Sequence, residues 1–227
     1  MEKGSKVLII DMDGQMANIT YLAGVKTDSK TKTMEDILIK DEDPKECILS
    51  VVKNTGKIDM IPATVQMAAL SSTAKISKMK KAVKILKNDY DYIFLDVNPS
   101  PDWRHALSLS VLDGVCIVML PDILSLEANR GIFDSIEEVQ EGVNTDLKIT
   151  GLILNQFDNR TKLARAVTDK AQQMAEYCGS VLFDSTVRKA VAMSESAAAH
   201  EGVTKYAPRS AVADDVRRLT DEIIKKL

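Results

Sequence analysis

The chain has little of what marks the specialised sequence classes. Its 227 residues hold three cysteines, Cys47, Cys116 and Cys178, scattered without a C-x-x-C pair or metal-ligand spacing. That excludes a disulfide framework and a cysteine zinc site, and leaves small buried hydrophobes in a reducing compartment. No apolar run approaches the ~20 residues that cross a bilayer, and no secretory signal opens the chain. A soluble, cytoplasmic protein is expected, with no membrane partner. Net charge is −3, with acids and bases interspersed, so any nucleic-acid binding must come from a local patch. The two histidines, His105 and His200, have no partner pattern and read as ordinary surface or core residues. The phosphate-binding loops are missing too. There is no G-x-x-x-x-G-K-[ST] and no G-x-G-x-x-G after a strand, which sets a Rossmann dehydrogenase far behind. Without repeats or a low-complexity linker, residues 1–227 are expected to form a single domain, long enough to bury a core.

What is present is a series of short, β-branched apolar runs separated by helical stretches. Residues 6–11 (KVLIID), 92–96 (YIFLD), 115–120 (VCIVML) and 149–155 (ITGLILN) lack polar alternation. Strands buried on both faces read this way. Residues 57–61 and 180–183 are weaker strand candidates. Helices are expected over 65–87, 103–112, 126–140, 161–177 and 211–226. This alternation predicts an α/β fold, a mostly parallel sheet with helices on both faces. The polar stretch 27–33 is the expected mobile loop. The lysine-rich segment 75–87 places Ile76, Met79, Val83 and Leu86 near helical spacing, which predicts a core-facing stripe with a solvated basic back. The last helix sets Val212, Val216, Leu219 and Ile223 on one face, among too many acids to suit a membrane surface; it is expected to dock on the domain.

Two strands end in aspartate: LIIDMD places Asp11 and Asp13, and YIFLD places Asp96. In an open parallel sheet the C-terminal strand ends line the ligand crevice. Carboxylates there hold Mg²⁺ through its waters or orient an attacking water. They also cap following helices, so one alone would mean little. The three are expected at one edge of the sheet.

Longer motifs resemble one family. DMDGQMANIT resembles the D-x-D-P-Q stretch of ParA/Soj partition ATPases, and DYDYIFLDVNPSP resembles their Walker B strand. LPDILSLEANRGIFDSIEEV, LKITGLILNQFDNRTKLARAV, VRKAVAMSES and KYAPRSAVADDV follow in family order and cover nearly the whole chain. The resemblance implies a P-loop NTPase-like fold of the SIMIBI type, with ATP and Mg²⁺ as cofactors in the intact family form. It implies Asp13 as the residue that positions the hydrolytic water. Asp11 and Asp96 would support Mg²⁺ and nucleotide, and Asn155 would face the adenine. Arg188, Lys189 and Arg209 would form a DNA-contacting surface that binds phosphates without reading sequence. Non-specific DNA, a ParB-like DNA-site-binding protein and a second copy of the chain are the implied partners. Each residue also has a plain structural reading: helix caps for the aspartates, a turn for Asn155, a solvated helix face for the basic residues. Asp158 and Arg160 are expected to pair locally.

The departures matter as much. Gly14 and Asn98 stand where the family has proline, Lys189 where it commonly has arginine, and Ala211 where a basic residue is frequent. Family members begin with a strand, a KGGxGKT loop and a helix; here that first βα unit, roughly thirty residues, is missing ahead of residues 6–11. In the family the missing strand lies beside the Walker B strand. Without the loop there is no cradle of backbone N–H groups and no lysine on the phosphates, so this chain alone is expected to bind little or no ATP. An ATP-dependent partition protein and a nucleotide-blind binding module paired with a protein partner are both open on this reading.

Overall fold

Apolar, β-branched runs form strands here because such side chains suit a pleated surface; Val7–Asp11 and Lys148–Leu154 are largely buried, whereas no residue of Tyr92–Asp96 is fully buried. The computed structural model describes residues 4–13, 18–51, 58–70, 76–98, 100, 102–122, 125, 126 and 129–227. The chain divides into two compact units, Met1–Val111 and Leu112–Leu227.

In the first unit the strands are β1 (Val7–Asp11), β2 (Leu49–Val51), β3 (Ile58–Ile61) and β4 (Tyr92–Asp96), in the order β2-β3-β1-β4. β1 is parallel to both β3 and β4, and β2 is antiparallel to β3. The helices are α1 (Asn18–Leu22), α2 (Ile76–Leu86) and α3 (Trp103–Leu109). Leu8, Ile10 and Met12 pack with Met79, Ala82, Val83 and Leu86 of α2. Those helix positions follow the i, i+3, i+4, i+7 spacing of a core-facing stripe. Ile76, expected in that stripe, is instead exposed, and Ala82 takes the inward place. The basic back of α2 is not wholly solvated: Lys78 Nζ donates to the Ile39 carbonyl at 2.8 Å, and Lys81 pairs with Asp41 at 3.3 Å.

The structure ends several expected elements sooner. Residues 65–69 form a 3-10 turn rather than the start of a long helix, and 71–75, between it and α2, lie outside the described residues. β2 has only three residues, too few to show a period. In the loop 27–33 the Asp28 carboxylate accepts from Lys30 N and Thr31 N, each at 2.9 Å, which makes a local turn.

The second unit holds β5 (Gly114–Met119) and β6 (Lys148–Leu154), a parallel pair. Its helices are α4 (Arg130–Gly142), α5 (Ala164–Tyr177), α6 (Val191–Ala198), α7 (Val203–Tyr206) and α8 (Ala211–Lys226). The strand expected over 180–183 is reduced to a single bridge, Leu152 to Leu182, and a second bridge joins Asn155 to Val187. Ser210 caps α8 by accepting from Ala213 N at 3.2 Å. Val212 of α8 packs with Val187 and Val203, so the helix docks as expected. Among the described residues no helix is long and apolar enough to cross a membrane.

β4 is an edge strand, and the side of it away from β1 carries no paired strand among the described residues. Phe94 on β4 is 48% exposed, and no charge within this strand before Asp96 guards the edge.

β6 is held against Phe183, which is 2% exposed. A Cβ on Gly151 would lie 2.5 Å from two Phe183 ring carbons. Overpacking a closed core costs about 1–3 kcal/mol. Gly151→Ala should lower stability by that amount in urea unfolding, and adding Phe183→Leu should recover part of it. An unchanged midpoint for Gly151→Ala would mean that the ring moves freely.

Candidate functional site

Parallel pairing sets the site's frame. β1 and β4 run in register so that Asp11 lies opposite Asp96 at the C-terminal ends of both strands, and Met12 N donates to the Asp96 carbonyl at 3.0 Å. Asp11 is fully buried. Its Oδ1 accepts from Asp13 N at 2.9 Å, and its Oδ2 accepts from Thr20 N at 3.2 Å and Thr20 Oγ1 at 2.5 Å. Thr20 Oγ1 also accepts from Ala63 N at 3.3 Å, which ties α1 to the end of β3. Asp11, Asp13 and Asp96 therefore gather at one edge of the first unit's sheet.

Their electrostatics differ. Burial, then the neighbouring charges of Asp11 and Asp13, push the Asp96 carboxyl up to about 6. The Asp96 carboxylate has no hydrogen-bond donor among the described residues. Burial also raises the Asp11 pKa, against the opposing hydrogen bonds from Thr20 and Asp13. Asp11 is thus committed to protein donors, whereas Asp96 is a desolvated carboxyl that a cation would relieve.

The donor set consists of hard carboxylate oxygens, the chemistry that Mg²⁺ takes. Among the described residues no group of three His, Cys, Asp or Glu side chains is arranged to hold a metal directly. The residues fit Mg²⁺ through its water shell rather than as a closed cage.

Several neighbours were not assigned a role in the sequence reading. Asn98, 7% exposed, donates from Nδ2 to Asp13 Oδ1 at 3.4 Å and accepts from Ser100 N at 2.8 Å. Its signal was visible only as a polar residue standing where proline is usual. Asp102 caps α3 by accepting from Arg104 N at 2.8 Å and His105 N at 3.4 Å. Arg104 and His105 are both buried. The His105 ring nitrogen lies 3.4 Å from the Asn98 carbonyl. His105 is thus a core histidine next to the candidate site, and nothing in its sequence context marks it.

Asn155 belongs to the second unit, one residue past β6. Its backbone N donates to the Met119 carbonyl at 2.9 Å, and its Oδ1 accepts from Gln156 N at 2.9 Å. Gln156 is left-handed at φ 56°, so the plain turn reading accounts for these hydrogen bonds. Asp158 and Arg160 form the expected local pair, Nη2 to Oδ2 at 2.8 Å. Arg188 holds the buried Asp215 through Nε at 2.5 Å and Nη2 at 2.9 Å. Arg218 bonds the same carboxylate. Lys189 and Arg209 are exposed. Gly14 lies outside the described residues.

Comparison with known proteins gives one consistent result. A family model described as AAA domain (AAA_31) matches residues 1–149. The sporulation initiation inhibitor protein Soj of Bacillus subtilis is 28% identical, over 97% of this chain and 87% of its own length. The septum site-determining protein MinD of Pyrococcus horikoshii, solved with Mg-ADP, shares the fold at TM-score 0.76 and 23% identity, over 98% of this chain and 84% of that one. An ATP complex of Cyanothece McdA has TM-score 0.81 at 14% identity, over 97% of this chain and 86% of that one.

The raised Asp96 carboxyl makes a pH prediction. Between the ordinary value of 3.8 and about 6, the folded chain keeps a proton that the unfolded chain has lost. This stabilisation is complete below that window and is lost as pH rises through it. Asp96→Asn mimics the protonated form, so at pH 8 it should be more stable than the parent by about 1–3 kcal/mol, with a small difference near pH 4. Urea titrations at both pH values check this. A constant difference would place the titration elsewhere.

Proposed function

The chain belongs to the ParA/Soj family of AAA-domain proteins, and from that premise we propose that it is a ParA-like partition protein whose Mg·ATP form binds DNA without sequence preference. The observation that carries this is the aspartate cluster at the ends of β1 and β4, with Asp11 opposite Asp96 and Asp13 two residues on. In this reading Asp13 positions the hydrolytic water. Asp96, with Asp11 behind it, takes the water shell of Mg²⁺, and Asn155 faces the base. Magnesium and nucleotide supply the charge that makes phosphoryl transfer a matter of positioning and electrostatic stabilisation.

Residues 1–227 contain no G-x-x-x-x-G-K-[ST]. Without that loop the surviving carboxylates repel an anionic ligand unless Mg²⁺ intervenes. The chain as it stands should therefore bind ATP weakly and hydrolyse it negligibly. Fusing a family-type strand, KGGxGKT loop and helix ahead of Glu2 should restore Mg²⁺-dependent binding by calorimetry, and Asp13→Ala should then abolish turnover. Tight Mg·ATP binding by the unfused chain would show a phosphate site of another kind. A second reading is a nucleotide-blind module that pairs with a protein partner. A fused chain that stays blind to ATP would select it.

For DNA, Arg188, Lys189 and Arg209 are the proposed phosphate-binding residues, and Asp215 holds Arg188 beside Arg218. Sharing one buried carboxylate between two arginines leaves a net positive charge at that point, so a local basic patch can act on a chain of net charge −3. A ParB-like protein bound at a DNA site and a second copy of the chain complete the proposed partners. The triple variant Arg188→Ala, Lys189→Ala, Arg209→Ala should weaken binding alike on unrelated duplexes. It should also flatten the slope of log K against log salt by about 1 for each phosphate no longer neutralised. Mobility-shift titrations with equal affinity for variant and parent would return these residues to a solvated surface.

A further inference from the structure

The first unit buries a cation that the aspartate cluster does not use as it stands. Arg104 is 4% exposed. Its Nε lies 3.0 Å from Asp102 Oδ2, and Nη2 bonds the same oxygen. Nη1 is buried and has no acceptor among the described residues. A guanidinium is a planar fork, and Asp102 occupies the edge made by Nε and Nη2, so Nη1 projects away from that carboxylate. Buried donors are almost always satisfied, and an orphaned charged one is expensive. An acceptor that arrives with a ligand would satisfy it.

The neighbourhood says what that acceptor is. Asp102, and after it Asp13, raise the Arg104 pKa, which places Arg104 within electrostatic reach of the cluster. Asn98 connects the two structurally, with its amide on Asp13 and its carbonyl against the ring of His105, the residue after Arg104. Three carboxylates repel an anion unless a cation comes with it, and the guanidinium, its charge already matched by Asp102, adds a donor rather than net positive charge. Its remaining nitrogen suits a tetrahedral oxyanion.

We propose that Arg104 is an anion-binding residue of this site, donating from Nη1 to an oxygen of a phosphate group carried in with a divalent cation. The ligand class rests on the proposed function; the residue and its geometry do not. Phosphate reaches the site either as a free oxyanion or as the terminal group of a nucleotide, and pyrophosphate and ATP separate the two sources.

The 227-residue chain is titrated with pyrophosphate in the presence of Mg²⁺, read by melting temperature and by fluorescence of Trp103, the sole tryptophan and the neighbour of Arg104. A ligand that binds only the folded state raises its melting temperature. The parent should respond, and Arg104→Gln should lose tenfold or more in affinity. Arg104→Lys keeps the charge without the fork and should fall between; it also carries the comparison if Arg104→Gln does not fold. Equal affinity in a folded Arg104 variant, or a parent that does not respond, overturns the proposal. The fused chain separates the two readings. Mg·ATP binding that survives Arg104→Gln unchanged removes Arg104 and leaves the proposed function. A fused chain that ignores Mg·ATP, while the parent keeps an Arg104-dependent pyrophosphate response, does the reverse.

Discussion

The structure of the first unit turns on one pairing, that of Asp11 with Asp96 across β1 and β4. Parallel strands twist and stagger in a fixed way, so register decides which strand ends meet. Here it brings two carboxylates together at a buried edge, an arrangement that opposes folding unless each charge is compensated. Asp11 is compensated by the Thr20 hydroxyl and two backbone N–H groups. Asp96 is not, and its raised pKa records that imbalance. The same strain that costs stability is what a cation would relieve, and so the site's chemistry and its instability have one origin.

Basic groups in each unit are held rather than loose. Arg104 lies on Asp102, which also caps α3, so one carboxylate fixes both the helix start and the guanidinium. In the second unit Asp215 plays a comparable part for Arg188 and Arg218. Glu222 of α8 accepts from the backbone of Asp184 and Ser185, at 2.8 and 2.9 Å, which fastens the helix to the segment leading to Arg188. A buried carboxylate that orients arginines costs desolvation but removes the entropy of two long side chains.

Each unit also carries a parallel-type strand at a sheet edge. β4 and β5 are apolar throughout their centres, with Phe94 and Val118 exposed. Strands of this composition are ordinarily covered on both faces and paired on both sides. Their sequences are those of interior strands.

Much of the architecture was legible in the residues alone. Four apolar runs became β1, β4, β5 and β6 within a residue or so at each end, because runs of apolar, β-branched residues without polar alternation leave a clear pattern. The helix over 211–226 appeared at its expected bounds, since Ser210, the early Asp214 and the terminal lysines mark both ends. The aspartates were legible because three of them fall at the tips of two hydrophobic strands, where a single acid would read as an ordinary helix cap. The rest came from packing. The short strand β2 and the turn at 65–69 carry too few residues for a period to show. Asn98, Arg104 and His105 looked unremarkable in sequence, because what distinguishes them is burial against Asp13 and Asp102, and burial of a polar side chain follows from packing between elements rather than from its neighbours along the chain.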